Sequence, residues 1–77
     1  MHLAAVIEAL YASEINSGLQ TFWDAGITVW IGDDMNGRVA EAGFSREDMS
    51  FAAPWLVGAA LRCYPNSDFA RKHKDAA

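Results

Sequence analysis

A single cysteine, Cys63, stands in the 77 residues, and the two histidines, His2 and His73, lie near opposite ends. No disulfide can form within the chain and no metal-ligand spacing is present, so a fold this small has to be held by packing. Cations are scarce as well. Residues 1–61 hold eight acids against two bases, a balance of −6, whereas residues 62–77 hold four bases against two acids, a balance of +2. An acidic body argues against nucleic acid, whose affinity comes mostly from cations that displace counterions. Long apolar runs are missing too. The longest, Phe51 to Leu61, falls far short of a bilayer span. The first residues lack a cationic start and carry Glu8 and Glu14, unlike a secretory leader, so a cytoplasmic protein without membrane contact is expected.

Apolar residues are abundant. They make up 52% of the chain, and aromatics 12%, including three tryptophans. That content excludes disorder and exceeds what so short a chain readily buries alone, a condition that small domains commonly relieve by oligomerising.

Residues 2–16 read as a helix. Leu3, Val6, Ile7, Leu10 and Tyr11 recur at helical spacing, and Asn16-Ser17-Gly18 supplies the stop. Two β-hairpins follow. Leu19 to Trp23 and Ile27 to Ile31 suit a pleated surface, joined by a three-residue Asp24-Ala25-Gly26 loop. Asn36-Gly37 predicts a second, two-residue turn that pairs Met35 with Arg38, Ile31 with Ala42 and Val29 with Phe44. One sheet face then holds Leu19, Thr21, Trp23, Ile27, Val29, Ile31, Ala40, Ala42 and Phe44; the other holds Gln20, Phe22, Thr28, Trp30, Val39 and Glu41.

A second helix runs from Ser50, its N-cap, to Tyr64, with Pro54 in the first turn; a start capped by Ser45 would leave Pro54 mid-helix. Ala52, Trp55, Leu56, Ala59 and Cys63 form its core face, while Val57 and Leu61 project from the other side. Ser67 caps one further turn around Phe69. The expected fold class is α+β, in the order α-β-β-β-α, a three-stranded antiparallel sheet with both helices on one face. Residues 1–70 form the single domain and 71–77 a flexible basic tail.

Chemistry-bearing candidates are few. The Gly32–Gly37 loop offers Asp33 and Asp34, but in a calcium-loop alignment glycines occupy the two essential carboxylate positions, Gly32 at one and Gly43 at twelve. Both acids read more simply as turn residues. Cys63 falls on an apolar face, far in sequence from either histidine, and reads as a small core residue. Glu14 lies on the stripe of Leu3, Ile7 and Leu10, so it points toward the core side unless it reaches water from the last turn. No catalytic constellation, metal site or cofactor is expected.

The most informative group is Phe22, Trp30 and Val39 on the outer sheet face. Covering the two rings would contribute ~8 kcal/mol per chain, comparable with the ~4–15 kcal/mol entropic cost of association. A homodimer or other homo-oligomer through this face is therefore expected, with the Val57/Leu61 side of the second helix as the competing surface. A protein partner or small ligand against the same aromatics is the alternative.

Three resemblances accompany these readings. The α-β-β-β-α order over residues 2–64 resembles that of double-stranded-RNA-binding domains, but the Lys-rich cluster they carry at the second helix is replaced by Ser50-Phe51-Ala52-Ala53-Pro54. Residues 26–61, from Gly26-Ile27-Thr28-Val29-Trp30-Ile31 through Asp34 and Gly37 to Glu41-Ala42-Gly43 and the apolar helix, resemble HicB-type antitoxins. Gly32 stands where that family usually has proline beside the turn aspartate, and no DNA-binding segment is appended. The HicB likeness implies oligomerisation and masking of a small toxin. Phe22-Trp23-Asp24-Ala25-Gly26, Trp30-Ile31-Gly32-Asp33 and Tyr64 to Ala70 look like stretches of small bacterial proteins to which no activity attaches.

Overall fold

A computed structural model of the chain describes residues 2–22, 26–33 and 37–76. The order is helix α1 (Leu3–Ala12), strands β1 (Ser17–Phe22), β2 (Gly26–Asp33) and β3 (Gly37–Phe44), a 3₁₀ segment (Arg46–Phe51), then helices α2 (Ala52–Cys63) and α3 (Asp68–Ala76). The strands form one antiparallel sheet in the order β1-β2-β3. The fold is the expected α+β arrangement, with the helices on one face.

Period-2 alternation places the core. Val29 and Ile31 are fully buried and Ile27 nearly so, and they pack in one cluster with Val6 and Leu10 of α1 and Ala52, Leu56 and Ala59 of α2. Phe44 of β3 meets Trp55 of α2 edge to face, ring centroids 6.0 Å apart. Tyr11, assigned to the buried stripe by spacing, is instead 67% exposed.

Both hairpins differ in register from expectation, each by two residues. In the first, Phe22 pairs with Gly26 and Thr21 with Ile27. The predicted loop residues Asp24 and Ala25, and Trp23, lie outside the described residues. In the second, Ile31 pairs with Ala40, Val29 with Ala42 and Ile27 with Phe44, rather than with partners two positions later. The offset arises at the turn: Asp33 pairs with Gly37, which therefore belongs to β3, three positions short of the expected partner, and a bulge between Ile31 and Gly32 takes one residue of that offset back. Gly32 takes φ +108°, which opens the ladder and absorbs an extra residue of β3. Because side chains alternate with period 2, a two-residue offset leaves the face assignments intact among the described residues.

α1 ends earlier than predicted, and the stop is not Gly18. Glu14 adopts φ +64° just past the helix, with Glu14 N–H donating to the Tyr11 carbonyl and Ile15 N–H to the Leu10 carbonyl at 2.9 Å. This is the paired bonding of a Schellman cap, completed by contact between buried Ile15 and Leu10. Glu14 therefore leaves the helical stripe and is exposed, not turned toward the core. A side chain in the left-handed region is strained, so Glu14→Gly is expected to stabilise the protein by about 0.5–1 kcal/mol in a urea titration.

The second helical region begins at neither predicted boundary alone. Ser45 precedes the 3₁₀ segment, its hydroxyl 3.1 Å from an Asp48 carboxylate oxygen, while Ser50 caps nothing and lies inside that segment. The α-helical turns start at Ala52, so Pro54 still falls where its missing N–H costs little. Farther on, the single turn expected after Ser67 continues as α3 to Ala76, across the residues assigned to a tail from Arg71. Ser67 Oγ accepts from the Ala70 N–H, Asp68 pairs with Arg71 one turn on, and the Phe69 and His73 rings stack.

Candidate functional site

The helices cover only the Ile27/Val29/Ile31 face, so no described helix lies on the other side of the sheet. Thr28 and Trp30 of β2 and Val39 and Glu41 of β3 belong to that open face by alternation. The bulge adds Arg38. Set opposite Gly32, Arg38 turns to the Trp30 side, and its guanidinium carbon stands 4.1 Å from the Trp30 ring centroid. Arg38 Nη1 also donates to Glu41 Oε2 at 2.6 Å. The cation is thereby held between a ring and a carboxylate, contacts worth about 0.5–1 kcal/mol each where partly solvated.

The other flank of Trp30 rests on β1. Gly18 is its cross-strand partner, and a Cβ there would approach the Trp30 ring to 2.6 Å. The glycine lets the indole lie flat across the strand, and the ring in turn covers the backbone that the glycine leaves bare. Trp30 is half-buried within its own chain as a result, whereas Val39 is 57% exposed. Of the three residues assigned to this face, Trp30 and Val39 thus differ in accessibility. Phe22 pairs with Gly26 at the end of β1, and its side chain lies outside the described residues.

The competing surface on α2 is also partly occupied. Val57 packs against the core and Leu61 is half-buried. Together with Ala53, Pro54, Gly58 and His73 they line an open groove of about 410 Å³ where α3 crosses α2. Its walls are apolar except for the His73 imidazole, so it offers contact area but no set of converging polar groups. His73 escapes sequence reasoning because Arg71 to Lys74 resemble a solvated tail; Phe69 four residues earlier is the spacing that reveals it.

The polar candidates stand on separate elements. Glu14 follows α1, Asp33 closes β2 opposite Gly37, and Cys63 ends α2 half-buried; Asp34 lies outside the described residues. Among the described residues no three His, Cys, Asp or Glu side chains gather into a metal-holding group, and no helix is long and apolar enough to cross a membrane.

The open face thus brings together the half-buried Trp30 indole, the exposed Val39 and the Arg38–Glu41 pair. No protein family, curated protein or solved structure matches this chain.

Proposed function

We propose that the chain is a non-enzymatic protein-interaction module that works in self-associated form and offers the open sheet face as a contact surface for a protein partner. The observation that carries this reading is Trp30, fixed between Gly18 and Arg38 on a face that no described helix covers. Fixing a large ring before contact reduces the entropy lost on binding, which is how aromatic anchors come to dominate interfaces. Val39 and the Arg38–Glu41 pair give the anchor an apolar neighbour and a polar rim.

Of the alternatives on the same aromatics, a small ligand is supported less by shape than a toxin-type protein partner. The face is a pleated surface, whereas the groove noted above belongs to α2 and α3. Flat surfaces suit protein partners.

Light scattering after size exclusion tests the self-associated state. The proposal predicts at least twice the 8.4 kDa chain mass at micromolar concentration. A single-chain mass up to the solubility limit would contradict it.

A further inference from the structure

We infer that β1 is the seam of a homodimer, in which two copies of the chain join β1 to β1, antiparallel, about a two-fold axis at Leu19. The inference rests on the self-associating reading and names both the partner, a second copy, and the strand that meets it.

The backbone directions follow from one hydrogen bond and the register. Gly32 N–H donates to the Asn16 carbonyl at 2.7 Å, and Ser17 pairs with Ile31, Leu19 with Val29 and Thr21 with Ile27. In an antiparallel ladder the bonded residues alternate. Gly18, Gln20 and Phe22 accordingly continue toward β2, and Ser17, Leu19 and Thr21 turn their N–H and C=O groups to the open side. Among the described residues no strand lies beyond that edge.

The edge is self-complementary. A two-fold axis at Leu19 sets Leu19 opposite Leu19 of the second copy, and Ser17 opposite Thr21. Every outward residue of β1 then meets an outward residue, and each opposed pair exchanges both of its N–H···O=C bonds. An axis one residue away, at Gln20, would leave Ser17 opposite a residue beyond the strand. The symmetric contact uses the same patch on both copies and closes on itself, as a two-fold interface must.

Side chains support the same seam. Ser17, Leu19 and Thr21 lie on the helix-covered face, opposite Ile31, Val29 and Ile27. Leu19 is 38% exposed at the rim of that core, and across the axis it meets its own copy. Ser17 Oγ is a buried oxygen with no hydrogen-bond partner among the described residues. Thr21 of the second copy stands directly across from Ser17, on the same face. A rotation about the Ser17 Cα–Cβ bond brings the two hydroxyls together, as in cross-strand Ser–Thr pairs.

The two edges of the sheet also contrast. β3 carries Arg38 and Glu41 and is bent by the bulge, devices that discourage edge pairing. β1 reads Ser-Gly-Leu-Gln-Thr-Phe, with no charge, no proline and no interruption of its register. In a chain of net charge −4, that uncharged strand lets two like-charged copies approach.

The test compares the full chain with Thr21→Pro and Leu19→Lys by light scattering, with far-UV circular dichroism as the check on folding. Thr21→Pro removes an N–H that faces outward in the single chain, where an edge strand tolerates proline. Leu19→Lys sets two like charges across the axis. The expected result is a dimeric wild type and two folded variants of half its mass. A monomeric wild type overturns the self-associating reading and this seam with it. A dimeric wild type whose folded variants stay dimeric overturns the seam alone. Should either variant unfold, amide exchange in the wild-type dimer decides: Leu19 and Thr21 N–H slowed about tenfold or more support the seam, and exchange at the rate of free edge amides overturns it.

Discussion

Gly26→Ala is expected to remove a large share of the stability of the protein. Gly26 begins β2 at φ +106°, a conformation that alanine adopts only under strain. A Cβ there would overlap the carbonyl oxygen of Phe44 and stand 2.9 Å from both the Phe44 carbonyl carbon and Ser45 Cα. Those obstacles are backbone, at the point where β3 leaves the sheet for the 3₁₀ segment, and they cannot swing aside as a side chain can. Strain and overlap together cost about 3 kcal/mol or more, against a total of about 4–12 kcal/mol for a domain of this length. Gly37→Ala is the control. Its φ is +118°, yet among the described residues nothing stands within 4 Å of the added carbon, so the strain of about 1–2 kcal/mol is the expected cost. Urea midpoints for the two variants should differ widely; equal midpoints would show that Gly26 is not in close contact with β3.

Leu56→Ala is the second large effect. Leu56 is fully buried at the middle of α2, in one cluster with Val6 and Leu10 of α1 and Val29 and Ile31 of β2. Truncation removes the side chain that joins both helices to the sheet and leaves a cavity that rigid neighbours do not refill, a loss of about 3–4 kcal/mol. Met49→Ala, at a residue 43% exposed in the 3₁₀ segment, should cost under about 0.5 kcal/mol by the same titration. If the two variants unfold at similar denaturant concentrations, α2 is not the keystone between the layers.

Legibility in the sequence followed how local each determinant is. The alternation of Ile27, Val29 and Ile31 and the helical spacing of Val6, Leu10, Leu56 and Ala59 are carried by the residues themselves, and they located the core and the architecture. Register was not local. Asn36-Gly37 is strong turn chemistry, but Gly37 pairs with Asp33 as part of β3, and the Gly32 bulge takes back only one residue of that offset; a glycine within a strand-like run is the sign of the bulge. Glu14 hid its role because a carboxylate is a poor guess for a left-handed cap; the hydrophobic contact of Ile15 with Leu10 selects that conformation despite the side chain. α3 hid for the opposite reason. Its polar residues, Arg71 to Lys74, are good helix formers that read as a solvated tail unless Phe69 and Ala70 are credited with anchoring it.

The candidate surface was legible in part. Trp30 and Val39 were assigned to the outer face, and period 2 sufficed for that. The contacts that hold Trp30 in place were not legible, since Gly18 and Arg38 reach it only through a register and a bulge that the turn signals misplace by two residues. Leu19 at the free edge was hidden likewise, because edge and centre depend on strand order rather than on residue type.

The most direct test of self-association through β1 is amide hydrogen exchange at Leu19, followed over a dilution series of the wild-type chain. Leu19 N–H faces outward from the single chain, so its protection must come from the second copy. Slow exchange at high concentration that accelerates on dilution as the measured mass falls is expected, while Val29 N–H in the central strand stays protected throughout. A Leu19 amide that exchanges rapidly at every concentration, in a sample whose mass is that of the dimer, would contradict the β1 seam.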